Sequence, residues 1–146
     1  MTRVNVVPPQ LLLDQHLRAE LREIPRVVSL ARHGAKIPQK YTLGTGHVTF
    51  FYDKLGYILR RIIALDIECK HRGFKGLDLA YLAQITNNVY GSSFNRDWKP
   101  SEEDVKLNMS RIVERYCEKQ TFYLMYGKNI DYLKFIQDEQ SNLRGF

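Results

Sequence analysis

Apolar side chains recur every three or four positions along the first third of this chain. From Gln10 to about His33 the recurring residues are Leu13, Leu17, Leu21, Ile24 and Val28. This spacing places them on one face of a helix. Pro25 falls inside the pattern, where it removes one backbone hydrogen bond and crowds the carbonyl of Leu21. We therefore expect a long first helix that is kinked at Pro25 but not broken.

The same spacing returns twice further along the chain. It predicts a second helix from about His47 to Arg72, capped by Gly73. A third helix is predicted from Ser101 to about Lys119, because Ser101-Glu-Glu-Asp104 resembles a capping box and apolar residues recur after it. From Gly76 to Pro100, turn signals at Asn87-Asn88 and Gly91-Ser92-Ser93 indicate a mostly irregular segment with one helical turn at most.

These elements predict a mainly α protein. The short β-branched segment from Thr2 to Val7, ended by Pro8-Pro9, predicts an N-terminal arm before the first helix. A length of 146 residues suits one domain and is short for two. We expect a single compact domain of about three helices, the first kinked, with long irregular loops. We assign residues 1–132 to this domain and residues 133–146 to a C-terminal extension of unknown role.

Charge and composition narrow the class of partner. The chain has 22 Lys and Arg against 16 Asp and Glu, a net charge of +6, which favours a polyanion. No apolar run reaches the roughly 18 residues of a membrane span, and the first residues lack a secretory signal, so we expect no membrane association and a cytoplasmic location. Cys69 and Cys117 have no metal-ligand spacing and are expected to be reduced, packed thiols.

Basic residues repeat at helical spacing on two of the predicted helices. On the first helix, Arg18, Arg22 and Arg26 form one stripe together with Gln15, and Glu23 lies on its flank. On the third, Arg111, Arg115 and Lys119 are four apart, so like charges repel along one row. Such rows can bind the phosphates of a nucleic acid. A solvated helix face with ordinary ion pairs remains the alternative for both rows.

Aromatic residues follow the third helix beside this basic surface. Phe122, Tyr123 and Tyr126 could stack on unpaired bases, or they could complete the hydrophobic core, which is the more common role of aromatic residues. The role of His16 is also undecided, because a lone histidine is more often structural than catalytic. The residues alone leave these alternatives undecided.

Four blocks of sequence together resemble a known family. The blocks are MTRVN at the start, DQHLRAELREIPRV from Asp14 to Val27, GHVTFFYDKL from Gly46 to Leu55, and YGK from Tyr126 to Lys128. In this order they resemble the phage pyrimidine-dimer DNA glycosylases, and the resemblance extends to about Tyr132. It implies a DNA-repair enzyme that binds double-stranded DNA containing a lesion. It also implies a monomer that needs no metal or other cofactor and that works in the cytoplasm of the host cell.

The resemblance further implies a role for individual residues. The initiator Met is removed, the α-amine of Thr2 attacks the sugar C1′ of the 5′ pyrimidine of a cyclobutane dimer, and Glu23 handles the protons. It places contacts to DNA and to an extruded base on Arg3, Gln15, His16, Arg22 and Arg26, and contacts to phosphates on Arg111 and Arg115. The implied activity is an N-glycosylase and an AP lyase that share one imine intermediate.

Elementary chemistry explains why a chain terminus would serve as the nucleophile. An α-amine has a pKa near 7.7 to 8.0, so roughly a tenth of it is neutral at pH 7, whereas for lysine the fraction is below about one in a thousand. The arm can also reach the carboxylate. About eight extended residues span up to roughly 26 Å, while the helix from Gln10 to Glu23 rises about 20 Å. Glu23 could then abstract a C2′ proton to drive β-elimination.

Three features depart from the family pattern and bear on which lesion is recognised. Leu21 stands where the family has Tyr, the loop from Arg32 to Leu43 is shorter, and Phe122 stands where the family has Trp. Two alternative functions therefore remain. One is the same imine chemistry on another damaged or modified base, and the other is a non-catalytic DNA-binding protein built on the same basic helices.

Overall fold

Helices make up most of the structure, a computed structural model that describes residues 3–144 and the side chains of residues 3–140. The helices are α1 (Asp14–Glu23), α2 (Pro25–Leu30), α3 (Leu55–His71), α4 (Leu79–Tyr90), α5 (Glu102–Glu118) and α6 (Tyr132–Arg144). Helix α3 packs against α1, α2 and α4 and forms the centre of the core. The predicted mainly α, single compact domain is confirmed. None of the helices described is long and apolar enough to cross a membrane.

The predicted first helix is in fact two helices that meet at Ile24. Ile24 keeps helical backbone angles (φ −60°, ψ −32°), and Pro25 begins α2 at its first position, where a helix needs no N–H donor. The predicted change at Pro25 is therefore confirmed, but it divides the expected single helix into two. The helical region covers residues 14–30 and not residues 10–33, because Leu13 is extended and residues 9–11 form a separate 3-10 turn.

Two helices were missed by the sequence interpretation. Helix α4 lies in the segment predicted to be irregular. Leu82, Ile85 and Val89 face the core at helical spacing, while Asn87 and Asn88 are exposed, so their turn preference does not interrupt the helix. Helix α6 lies almost entirely in the C-terminal extension, for which no helix was predicted, and it is anchored by the buried side chains of Tyr132 and Ile136.

The other two predicted helices are close to their expected positions. Helix α3 begins at Leu55 and not at His47, because residues 49–51 form a 3-10 turn before it. The capping box of α5 is confirmed: Ser101 Oγ accepts the Asp104 amide, and the Asp104 carboxylate accepts the Ser101 amide. Cys69 is buried as expected, whereas Cys117 lies on the exposed face of α5.

A buried ion pair joins α1 to α3. The Arg61 guanidinium donates two hydrogen bonds of 2.9 Å to the two carboxylate oxygens of Glu20, and both side chains are almost completely excluded from solvent. The same pair holds the N-terminal arm, since Arg61 donates to the Val7 carbonyl and the Asn5 amide donates to Glu20. The path of the arm therefore depends on a charge pair in the core.

Replacing Arg61 with methionine is expected to destabilise the fold by about 3–5 kcal/mol, because it leaves a buried carboxylate without its cation. Combining Arg61→Met with Glu20→Leu should recover much of this loss, since the uncompensated charge is then removed as well. Urea denaturation of the three proteins measures the difference. A loss of less than about 1 kcal/mol in the free energy of unfolding of the single variant would contradict this view, because exposed ion pairs contribute that little.

A tight turn at Tyr126-Gly127 fastens the aromatic segment to the start of α1. Asp14 accepts the amides of Tyr126 and Gly127 at 3.0 and 2.7 Å, and it also accepts a hydrogen bond from Arg72. Both turn residues have positive φ angles, 53° and 75°, which suit glycine and cost energy at tyrosine. The Arg72 guanidinium packs over the Tyr126 ring at 4.8 Å. The residues before this turn are thereby held against α1.

Candidate active site

A cavity of about 220 Å³ opens between the N-terminal arm, α1 and α5. Its lining residues are Arg3, Asn5, His16, Ala19, Glu20, Glu23, Leu43, Asn108, Arg111, Ile112 and Arg115. On α1 the lining positions are three and four apart, from His16 to Glu23, and on α5 they are spaced in the same way from Asn108 to Arg115. Each helix thus presents one continuous face to the cavity.

The cavity combines a cluster of cations with one available carboxylate. Arg3, Arg111 and Arg115 supply three guanidinium groups to its walls. Of the two acidic side chains, Glu20 is already bound by Arg61. Glu23 is half-buried, and among residues 3–140 no cation lies within ion-pair distance of it. The site can therefore attract an anion and offer it a free carboxylate for proton transfer.

The arm is fixed above this cavity by its backbone. The Val4 amide donates to Nε2 of His47 at 2.8 Å, and the Tyr41 hydroxyl lies 3.0 Å from the Val4 carbonyl oxygen. The Asn5 amide donates to Glu20 at 3.2 Å. Val4 is completely buried, whereas the next residue toward the terminus, Arg3, is exposed and lines the cavity. The first described residue of the arm thus lies at the site.

His16 is a neutral group in the cavity wall. Its ring stacks on Tyr123 with a centroid distance of 4.9 Å, and no described residue hydrogen-bonds to its buried Nδ1. Burial, and then the charges of Arg115 and Arg3, lower the pKa of His16 to about 4. At neutral pH the imidazole is therefore uncharged, and it can take part in hydrogen bonds but not in ion pairs.

The low pKa of His16 gives the protein a pH-dependent stability. In the unfolded chain a histidine has a pKa near 6.5. As the pH falls from about 6.5 toward 4, the unfolded chain gains a proton that folded His16 does not, so stability is lost in that window. The variant His16→Gln should lose less stability between pH 7 and 4.5 than the native chain in urea denaturation. An equal loss of stability in the two proteins between pH 7 and 4.5 would contradict the low pKa of His16. An NMR resonance of His16 that titrates near 6.5 would contradict it as well.

One comparison identifies the family of this chain. A family model described as pyrimidine dimer DNA glycosylase matches residues 1–81. The chain belongs to this family. It is therefore a DNA-repair glycosylase, and its substrate is DNA. The matched residues include the arm, α1, α2 and α3, and thus Arg3, His16 and Glu23 of the cavity. Helix α5 lies outside the match, so the assignment of Arg111 and Arg115 depends on where the glycosylase fold places them.

The predicted site residues do not all lie together in the structure of the glycosylase. Arg3, His16, Glu23, Arg111 and Arg115 line the cavity. Gln15 and Arg22 line a neighbouring hollow of about 670 Å³, and Arg26 is exposed on α2 and lines neither. The predicted nucleophile, Thr2, lies outside the described residues. The cations that share the cavity with Glu23 come from the arm and α5, and not from the α1 stripe as the sequence suggested.

Gln15 has a structural role that its position in the helical stripe did not indicate. Its amide oxygen accepts the Leu124 amide at 3.0 Å, and its amide nitrogen donates to the Phe122 carbonyl at 2.7 Å. Gln15 thereby holds the aromatic segment, whose residue Tyr123 stacks on His16. The Phe122 side chain itself is 57% exposed, so it is not part of the core.

Sequence reasoning missed the residues that orient the arm, namely Tyr41, His47 and the Glu20–Arg61 pair. His47 lies in the block GHVTFFYDKL but was interpreted as the start of a helix. Its partner Val4 is 43 positions away. A histidine beside Phe and Tyr residues is a weak signal of burial, and nothing in the sequence indicates which backbone group it binds.

Proposed function

We propose that this glycosylase cleaves the glycosidic bond of the 5′ pyrimidine of a cyclobutane dimer and then cleaves the abasic strand, with the α-amine of Thr2 as nucleophile and Glu23 as proton carrier. The single observation that supports this most strongly is that Arg3, the neighbour of Thr2, lines the same cavity as Glu23. One residue spans at most about 3.6 Å, so the amine of a mature chain is within reach of the cavity.

The proposed reaction needs only an amine and a carboxylate. The neutral amine attacks C1′, a C1′–N bond forms, and the bond from C1′ to the base breaks. The base takes up the proton that the nitrogen loses and stays attached to the 3′ pyrimidine through the cyclobutane ring. The sugar ring then opens at its C1′–O4′ bond to give the imine. Glu23 removes a proton from C2′, and the electron pair expels the 3′ phosphate oxygen. Water finally hydrolyses the imine and restores the free amine.

The arginines of the cavity are proposed to bind the DNA backbone around the lesion. Arg111 and Arg115 lie on one row of α5 and, with Arg3, face the cavity from two sides. Phosphate groups that flank the reacting sugar would neutralise this cluster. One chain contains all of these groups, which supports a monomeric enzyme.

Loss of the α5 arginines should weaken binding and lessen its salt dependence. We expect the double variant Arg111→Gln, Arg115→Gln to bind duplex DNA more weakly, with the log–log salt slope reduced by about 0.9 for each phosphate that the variant no longer neutralises. The control is Arg60→Gln on α3, where Arg60 is already paired with Asp97 and does not line the cavity. Binding isotherms between low and moderate salt measure both slopes. Parallel slopes for the double variant and the native protein would contradict the proposed phosphate binding.

The hollow next to the cavity is proposed to receive the base extruded opposite the lesion. Gln15 and Arg22 line it, and the guanidinium of Arg18 lies 4.6 Å from the ring centroid of Phe74 on its wall. A planar ring stacked on a guanidinium offers a flat surface to a flipped base. Exposed Arg26 is proposed to contact the backbone beyond this hollow.

The second candidate is the same chemistry on another damaged base, and one position favours it. Leu21, which stands where the family has Tyr, lines the hollow beside Arg22. A smaller aliphatic side chain changes the shape offered to the extruded base, and with it the preference among lesions.

A panel of matched duplexes tests the proposed substrate. Each duplex carries one modification in the same sequence: a cyclobutane thymine dimer, an oxidised pyrimidine, an alkylated purine, or none. We expect cleavage of a glycosidic bond, measured as a strand break after alkali treatment, in the dimer duplex only, because that lesion weakens stacking and bends the helix at low cost. Cleavage at another lesion in preference to the dimer would support the second candidate. Binding of the dimer duplex without cleavage of any glycosidic bond would leave a DNA-binding protein without the proposed activity.

A further inference from the structure

Hydrogen bonds hold the backbone of the N-terminal arm at Val4, two residues after Thr2. The position of Val4 therefore affects the orientation of the proposed nucleophile. We propose that His47 is a positioning residue for the amino-terminal nucleophile: its neutral imidazole holds the arm at Val4 so that the terminus points into the cavity, and protonation of that imidazole releases the arm. This inference rests on the proposed role of Thr2 and adds to it the device that orients Thr2.

The hydrogen bonds of His47 define one tautomer. Nε2 accepts the Val4 amide at 2.8 Å, so it carries no proton. Nδ1 lies 2.7 Å from the Thr42 carbonyl oxygen, so it carries the proton and donates it. Only the neutral ring with its proton on Nδ1 satisfies both contacts. The ring is 3% exposed and Val4 is completely buried, so water does not compete for this bond.

Further contacts hold the same stretch of backbone. The Tyr41 hydroxyl lies between the Val4 carbonyl oxygen and Asn108 Oδ1, at 3.0 and 2.9 Å. Beyond Val4, the Asn5 amide and the Val7 carbonyl are held by the Glu20–Arg61 pair. Within the described part of the arm, Val4 is thus the residue nearest to the start of the chain whose backbone is hydrogen-bonded, and His47 holds it directly. An error of about 1 Å in the position of a reacting group can cost about a hundredfold in rate.

Protonation of His47 would break this arrangement. An imidazolium has an N–H at both positions, so Nε2–H would face the Val4 N–H, donor against donor. The titratable groups that face the ring are Arg3 on the arm and Tyr41 on the loop, and Phe51 packs on it from the turn before α3. Burial, together with the charge of Arg3, lowers the pKa of His47 below the usual value, against an opposing effect of the Thr42 carbonyl. The ring is therefore neutral at pH 7, and acid releases the arm.

Two substitutions separate the hydrogen bond from the volume of the ring. His47→Phe keeps a planar buried ring and removes the acceptor. His47→Gln places an amide oxygen near the position of Nε2, so it keeps an acceptor that does not titrate. Single-turnover borohydride trapping on an abasic duplex measures imine formation, and affinity for a duplex with a tetrahydrofuran abasic analogue measures binding without chemistry. Circular dichroism confirms that each variant is folded.

We expect His47→Phe to lower the trapping rate by about tenfold to a hundredfold, with affinity for the analogue duplex changed less than about threefold. His47→Gln should recover most of the rate. Its acid limb should be shallower than that of the native enzyme by one proton, because residue 47 then no longer titrates. In case His47→Phe does not fold, Tyr41→Phe removes the second contact to Val4 and is expected to lower the trapping rate in the same way, without loss of affinity.

The outcomes distinguish this inference from the proposed function. If the native enzyme traps at its terminus and His47→Phe or, in its place, Tyr41→Phe traps equally fast, the positioning role is wrong while the nucleophile stands. A loss that His47→Gln does not recover, or an unchanged acid limb in that variant, overturns the positioning role as well. If the native enzyme does not trap abasic DNA at all, the proposed function fails, and the role of His47 fails with it.

Discussion

Glu23→Gln should abolish strand cleavage at an abasic site while leaving the affinity for damaged duplex almost unchanged. Glutamine has nearly the same shape as glutamate but cannot take a proton from C2′, and the loss of a general base costs about 10²- to 10⁴-fold in rate. Binding is proposed to depend on the arginines that line the cavity and not on Glu23. An abasic duplex is the right substrate, because it isolates the elimination step from base release.

The control for this variant is Glu118→Gln. Glu118 is exposed at the end of α5, does not line the cavity, and undergoes the same change in charge. We expect its cleavage rate to stay within about twofold of the native rate, as for a surface substitution remote from the chemistry. Native cleavage by Glu23→Gln, or an equal loss in both variants, would exclude Glu23 as the proton carrier.

Acetylation of the Thr2 amine should remove both imine trapping and cleavage. An amide nitrogen has no basic lone pair, so it cannot attack C1′, and a lysine would be a poor substitute because it is almost entirely protonated at neutral pH. The matched control is Thr2→Ala with a free amine, which keeps the nucleophile and changes only the side chain. Its trapping rate is expected to remain within about tenfold of the native rate.

Intact mass establishes the state of the terminus in each preparation, and single-turnover trapping gives the rate. Cleavage by the acetylated protein at the native rate would contradict the proposed nucleophile. Loss of activity in Thr2→Ala with its amine free would show that the hydroxyl, and not the amine, is the group that matters.

Local signals in the sequence were sufficient for much of the fold. The capping box at Ser101 was found because its partners are three residues apart. The kink at Pro25 was found because proline cannot donate in a helix interior. Helix α4 was missed because the turn preference of Asn87-Asn88 was given more weight than the apolar spacing, and tertiary packing overrides such preferences.

Only part of the site could be predicted from the sequence, for a related reason. On α1, His16 and Glu23 share one face, and Arg22 is rotated by about 100° from Glu23, so it lies toward the next hollow. A linear stripe of arginines did not distinguish these two faces. The cavity forms where α1 lies close to α5, and these two helices are far apart in the chain. The hydrogen bond between Val4 and His47 also joins distant residues. Local sequence patterns carry no information about such distant pairs. The resemblance to a family indicated which residues belong to the site but not how they are arranged.

Mapping the covalent adduct that borohydride leaves on the native enzyme after reaction with abasic duplex is the decisive measurement. Nuclease digestion followed by peptide mass spectrometry locates the reduced sugar remnant on the chain. We expect it on the α-amine of an N-terminal peptide that begins at Thr2. An adduct on a lysine side chain, with the N-terminal peptide unmodified, would contradict the proposed mechanism.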